Sequence, residues 1–187
     1  MKNIALILLL LAIAGGAGFG LQRLMQDTKL PVIAPTLSKN VKIDVVGTQR
    51  PAFQLKDIKG EMRNIDEWNG QVVLVNFWAT WCPPCKKEMP AFIQLQEQYA
   101  KQGFQVIGIA LDNEDSVRDF ADAMGVKYPL LPADHAGLKL SRDYGNDIGA
   151  LPYSVFVGRD GIITQTHIGE LSKDQVEGII KPMLLVK

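Results

Sequence analysis

Two kinds of apolar run divide the chain. From Ile4 to Leu21 there is no polar side chain at all, so no face of a helix formed there is hydrophilic. An amphipathic helix of a soluble domain shows a polar stripe, and this stretch has none. As a helix it would extend roughly 27 Å, close to the hydrocarbon thickness of a bilayer. Gln22-Arg23 closes the run, and a membrane-targeting segment is expected over residues 1–23. Two readings fit. An uncleaved anchor is favoured by the apolar length to Leu21, while Ala12-Ile13-Ala14 resembles the cleavage site of a signal peptide. In a bacterium, the first gives a single-pass protein of the inner (cytoplasmic) membrane with its soluble domain on the periplasmic, extracytoplasmic face. The second gives a soluble periplasmic protein.

Beyond Arg23 the apolar runs are short and periodic. Residues 24–47 carry Pro31, Pro35, Thr36, Ser38 and Asn40 and read as a tether, with a short strand at Val41–Val46. Residues 48–187 read as one domain. Phe53 and Leu55 fall in phase before the turn signal Asp57-Ile58-Lys59-Gly60, which predicts a hairpin. Gln71–Trp78 is a dense apolar run after Asn69-Gly70, the pattern of a strand buried on both faces. Met89, Phe92, Ile93, Leu95 and Tyr99 mark a helix over about Pro83–Gln102, with a kink expected at Pro90. Phe104–Leu111 is a second buried strand. A helix over Asp115–Met124 would turn Val117, Phe120, Ala121 and Met124 inward, with Asp112-Asn113-Glu114-Asp115 supplying its cap. A shorter helix is expected near Gly137–Tyr144. Ser154–Val157 and Ile162–His167 flank the hairpin signal Gly158-Arg159-Asp160-Gly161. Lys173–Leu185, capped by Ser172, makes the last helix, and Tyr128–Asp134 takes no assignment. The order β-α-β-α, then β-β-α, predicts an α/β fold with a mixed central sheet and helices on both faces.

Composition narrows the function. The 187 residues are 47% hydrophobic, with 20 Lys+Arg against 20 Asp+Glu. A zero net charge removes the electrostatic case for nucleic-acid binding, which needs a basic face to displace counterions. Only 2 cysteines are present, too few for a disulfide-rich scaffold or a four-cysteine zinc site.

Those cysteines stand in Trp81-Cys82-Pro83-Pro84-Cys85, between a buried strand and a helix, the context that makes C-x-x-C a redox motif. The strand end presents Cys82 at the sheet's carboxyl edge. The free N–H groups and positive dipole end of the helix stabilise its thiolate. A purely stabilising disulfide across so small a loop would remove little chain entropy. A zinc site lacks ligands, since only His135 and His167 remain as soft partners and neither stands at a pairing distance in sequence. No metal and no cofactor is expected.

Val73–Pro90, VLVNFWATWCPPCKKEMP, resembles the active-site segment of the thioredoxin superfamily, and its extended form resembles the membrane-tethered TlpA/ResA-like thiol-disulfide reductases. The resemblance extends over nearly the whole soluble part. Pro51–Gly60 matches the amino-terminal hairpin added in that branch, and Gly149-Ala150-Leu151-Pro152 matches the cis-proline loop. It implies a thioredoxin-like fold with an added hairpin, preceded by the membrane helix. It implies Cys82 as exposed nucleophile, Cys85 as buried resolving thiol and Glu88 as the acidic group near them. Trp81, Pro83, Leu151 and Pro152 become the expected substrate-binding residues. Thioredoxins carry a buried aspartate six residues before the nucleophile. Here that position is Asn76, which cannot act as a base, so proton handling falls to Glu88. The competing reading of Glu88 is a solvated residue beside Lys86 and Lys87.

The implied partners are a disulfide-containing client and a membrane electron donor of the thiol-disulfide transporter type. Clients of this branch include apocytochrome c haem-site cysteines and metal-site cysteines of oxidase subunits. Three other readings stay open: a thiol oxidase or isomerase on the same fold, a thiol peroxidase, and a copper-binding assembly chaperone using both thiols and a histidine. The peroxidase is disfavoured because Cys82 sits in C-x-x-C and not in a threonine- or serine-containing peroxidatic loop.

Overall fold

The computed structural model describes residues 44–186. The expected membrane helix, the tether up to residue 43 and the first part of the strand expected at Val41–Val46 lie outside them.

Strands β1 (Gln54–Lys56) and β2 (Met62–Asn64) pair antiparallel as a two-stranded sheet. The main sheet holds β3 (Val72–Trp78), β4 (Phe104–Ala110), β5 (Leu130–Pro132), β6 (Tyr153–Val157) and β7 (Ile163–Ile168) in the order β5-β4-β3-β6-β7. β3 pairs parallel with β4 and antiparallel with β6, so the sheet is mixed as expected. Helices α1 (Pro83–Tyr99), α2 (Glu114–Met124), α3 (Asp134–Asp143) and α4 (Lys173–Leu185) flank it.

Although β3 is buried throughout, its side chains alternate strictly between two apolar layers. Val72, Leu74 and Trp78 join Phe104, Val106 and Phe156 against α1 and α4, while Val73, Val75 and Phe77 join Ile107, Ile109, Tyr153 and Val155 on the other face. On α1 the residues Cys85, Met89, Phe92, Leu95 and Tyr99 recur at three- and four-residue steps and make the buried stripe. The helix runs through Pro90, which lies on the solvent side, and gives way to a 3-10 turn over Ala100–Gln102. Gly103 ends that turn in the left-handed region (φ 82), where a Cβ would also meet Arg159 Nη1 at 2.7 Å.

Four features differ from the expectations. Asp44 to Val46 is not a strand; Val46-Gly47 forms a turn, and Gln49 instead bridges to Ile162. The short helix begins at Asp134, three residues before Gly137. The segment left unassigned contains the edge strand β5, whose proline at position 132 is tolerated only at such an edge. A 3-10 helix, Ile65–Trp68, follows β2, with Asn64 and Glu67 forming a reciprocal capping box.

Arg159, in the β6–β7 turn, ties three distant segments together. Its guanidinium donates to the carbonyls of Gly70 (2.8 Å), Gln102 (2.9 Å) and Val186 (3.0 Å). Each is a charge-assisted bond to the carbonyl of a turn or of the segment after α4. Arg159→Ala is expected to destabilise the domain by about 2 kcal/mol, read as a lower denaturant midpoint with unchanged slope.

Candidate active site

The nucleophile's position follows from local chain geometry. After β3 the chain makes a turn closed by Cys82 N–H donating to the Ala79 carbonyl at 3.1 Å. Cys82 is then the N-cap of α1, in extended conformation, and its sulfur accepts the Cys85 N–H at 3.3 Å. Pro83 and Pro84 fill the first two helical positions, where a missing N–H leaves no intrahelical bond unmade. The two sulfurs are joined in a disulfide with a Cα–Cα separation of 5.3 Å.

Cys85 is fully buried, and Cys82, expected as the exposed member, keeps only 4% of its surface. The covering comes from the apolar layer that Cys82 and Cys85 share with Trp78 and Met89, against which Leu151 packs. Trp81 is 66% exposed, Pro83 is exposed, and Leu151 is half-buried. The Leu151–Pro152 peptide is cis, and the Pro152 carbonyl accepts the Gly169 N–H at 2.9 Å.

Glu88 is not solvated beside its lysine neighbours; it is 1% exposed. One helical turn past Cys85, it lies on the buried side of α1. Asn76 Nδ2 donates to its Oε1 at 2.8 Å, and the Leu171 N–H donates to its Oε2 at 3.0 Å. Asn76 also donates to Ser154 Oγ at 3.1 Å across the β3–β6 pairing. Burial is the strongest influence on Glu88 and pushes its pKa up to about 7. The two donors oppose the rise, and the Glu170 carboxylate adds to it. A carboxyl so tuned is close to half-ionised at neutral pH and can accept or return a proton.

The partners of Glu88 belong to other elements of the chain. Leu171 is remote along the chain and acts through its backbone. Ser154 did leave a signal, as the single polar residue in an apolar strand directly opposite Asn76. His135 and His167 lie on α3 and β7, and among the described residues no three His, Cys, Asp or Glu side chains converge on a metal-sized site.

A cysteine pair at the start of a helix, one turn before a buried carboxyl, can alternate between dithiol and disulfide by attack of a thiolate on a disulfide sulfur. The AhpC/TSA family model matches residues 46–166. The chain belongs to the AhpC/TSA family. Thiol-disulfide oxidoreductase ResA of Bacillus thuringiensis (strain Al Hakam) is 36% identical over 137 residues, covering 73% of this chain and 77% of that one. Thioredoxin-like protein YneN of Bacillus subtilis (strain 168) is 36% identical over 135 residues, covering 70% and 76%. The crystal structure of a thiol:disulfide interchange protein from Chlorobium tepidum TLS superposes with a TM-score of 0.68 at 29% identity, over 75% of this chain and 99% of that one. This AhpC/TSA family member is therefore a thiol-disulfide oxidoreductase with a thioredoxin-like fold, and its clients are disulfide-containing proteins.

Proposed function

We propose that the protein works as a reductase of protein disulfides outside the cytoplasm. Residues 1–23 anchor it in the bacterial inner membrane, and a membrane thiol-disulfide transporter supplies its electrons. The residues between that anchor and the domain serve as tether, shorter than the expected 24–47 because Val45 is buried in the domain. Cys82, as thiolate, attacks one sulfur of a client disulfide and forms a mixed disulfide, while the other client sulfur leaves and takes up a proton. Cys85 gives its proton to the Glu88 carboxylate and attacks the Cys82 sulfur, and the second client thiolate departs and is protonated in turn. Two electrons pass to the client, and Cys82–Cys85 ends oxidised. Trp81, Pro83 and Leu151 form the surface against which the client segment lies, with the buried cis-Pro152 setting the backbone of Leu151. Cysteines of apocytochrome c haem sites or oxidase metal sites are the clients this reading favours.

What supports the reductive direction is that a single helical N–H holds the Cys82 sulfur, fewer than the several free N–H groups expected at that helix end. Pro83 and Pro84 have no N–H, so of the first three helical positions only Cys85 donates to the Cys82 sulfur. Strong oxidants owe their potential to a well-stabilised reduced form. A thiolate with one helical donor gains less, which shifts the pair toward reducing power. The Cys82/Cys85 potential, measured by equilibration in a dithiol–disulfide redox series, is expected near about −270 mV, the thioredoxin range. A value near about −120 mV, the range of strong oxidants, would replace the reductase by an oxidase.

A further inference from the structure

We propose that Asp112 is a positioning residue for the redox pair, acting through Thr80 to fix the turn that presents Cys82. This rests on the assignment of Cys82 as nucleophile and extends it to a residue in another strand connection.

Thr80 is the second residue of the Ala79–Cys82 turn, which is closed on its own by one backbone bond. Two further donors hold it from outside. The Thr80 N–H reaches Asp112 Oδ2 at 3.3 Å, and the Thr80 hydroxyl donates to the same oxygen. Asp112 is itself fixed. It follows β4, the parallel neighbour of β3, with Trp78 paired to Ala110 and the Leu111 N–H donating to the Trp78 carbonyl at 2.8 Å. Its other oxygen, Oδ1, accepts the Asn113 N–H at 2.9 Å and Asn113 Nδ2 at 3.2 Å. The cap of α2 is Asn113, whose side chain accepts the Ser116 N–H. The cap expected from Asp112-Asn113-Glu114-Asp115 is thus supplied by Asn113, which leaves the Asp112 carboxylate for Thr80. Its carboxylate spans the gap between two strand ends and holds the turn from Thr80 to the nucleophile.

The charge of Asp112 by itself works against a Cys82 thiolate, since like charges repel. Position and charge thus predict opposite effects when Asp112 is removed, and one experiment separates them. The reduced full-length protein is reacted with the disulfides of insulin, a substrate that must settle against the site, and the rate is followed against pH to the plateau where Cys82 is fully ionised. Thr80→Val and Asp112→Ala are each expected to lower that plateau about tenfold, as a modest displacement of a reacting atom does. The double variant should fall no further than Asp112→Ala alone, because that change already removes both bonds to Thr80. Thr80→Ser, which restores the hydroxyl, should recover most of the loss. An unchanged plateau in Thr80→Val, a faster reaction in Asp112→Ala, or a double variant equal to the product of the singles would each overturn the positioning role. Cys82→Ser serves as control. If it reacts as fast as the natural chain, the nucleophile assignment itself fails and the positioning role with it.

Discussion

Replacing Cys85 by serine is expected to leave the protein covalently bound to its clients. Cys82 retains its place as the N-cap of α1 and still attacks a client disulfide. The thiol that resolves the adduct is then missing. In the natural chain that thiol is held within bonding reach of Cys82, with a Cα–Cα separation of 5.3 Å. An attack so oriented corresponds to an effective concentration far above any thiol in solution, so the mixed disulfide should persist at least about a thousandfold longer. Non-reducing electrophoresis of Cys85→Ser cells would show adducts that a reductant releases, and mass spectrometry would name the clients. Cys82→Ser/Cys85→Ser must show none. A Cys85→Ser strain without adducts, at normal protein level, would remove the main support for the reductase reading.

The second large effect is expected from Glu88→Gln, which keeps the shape but cannot take a proton. Glu88 sits one turn beyond Cys85 with a pKa pushed up to about 7. Client reduction should rise with pH through about 7 in the natural protein as Glu88 ionises. In the variant that limb should disappear, and turnover at neutral pH should drop on the order of a hundredfold, the usual scale of a lost general base. Stability moves in the opposite sense. The folded chain holds the Glu88 proton more tightly than an unfolded one, whose carboxyl has the ordinary value of 4.5. The resulting stabilisation is complete below the ordinary value and is lost as pH rises through about 7, a change of about 3 kcal/mol. Glu88→Gln removes this dependence. Denaturant unfolding of both oxidised proteins at pH 5 and pH 8 measures it. An equal stability difference at the two pH values would mean that Glu88 titrates like a surface carboxyl.

The contrast between Glu88 and the cysteines shows what the sequence makes legible. The run Val72–Phe77 and the stripe through Met89, Phe92, Leu95 and Tyr99 are repeated patterns, and repetition identifies an element without knowledge of its neighbours. The C-x-x-C pair is legible because its chemistry lies within one turn of chain. Strand β5 is only three residues long, follows Pro129 and ends at Pro132, so no period can develop. It forms because β4 offers it a parallel edge. Glu88 has lysines on its amino side and looks solvated, yet its burial is decided by Asn76 and Leu171, which belong to other elements. The same holds for Thr80 and Asp112, two common polar residues whose meeting depends on where β3 and β4 end. The Cys82 surface, smaller than its role implied, is likewise set by packing against a layer assembled from several elements.

The facing pair Asn76 and Ser154 also bears on how the sheet finds its alignment. Sliding β3 against β6 by one residue would exchange the two apolar layers, and the hydrophobic pattern alone forbids it. Sliding by two would keep every apolar side chain on its own side, since Leu74, Phe156, Val75 and Val155 are interchangeable in kind. Only the polar residues tell the two arrangements apart. After such a slip Asn76 would face an apolar partner, and Ser154 would be left in the interior without its donor. Each buried group deprived of its partner costs about 1–3 kcal/mol, enough to make the shifted sheet a minor species. The Asn76–Ser154 hydrogen bond thus acts as an alignment key during folding, and the residue that aligns the central strands is the same one that donates to the proton carrier.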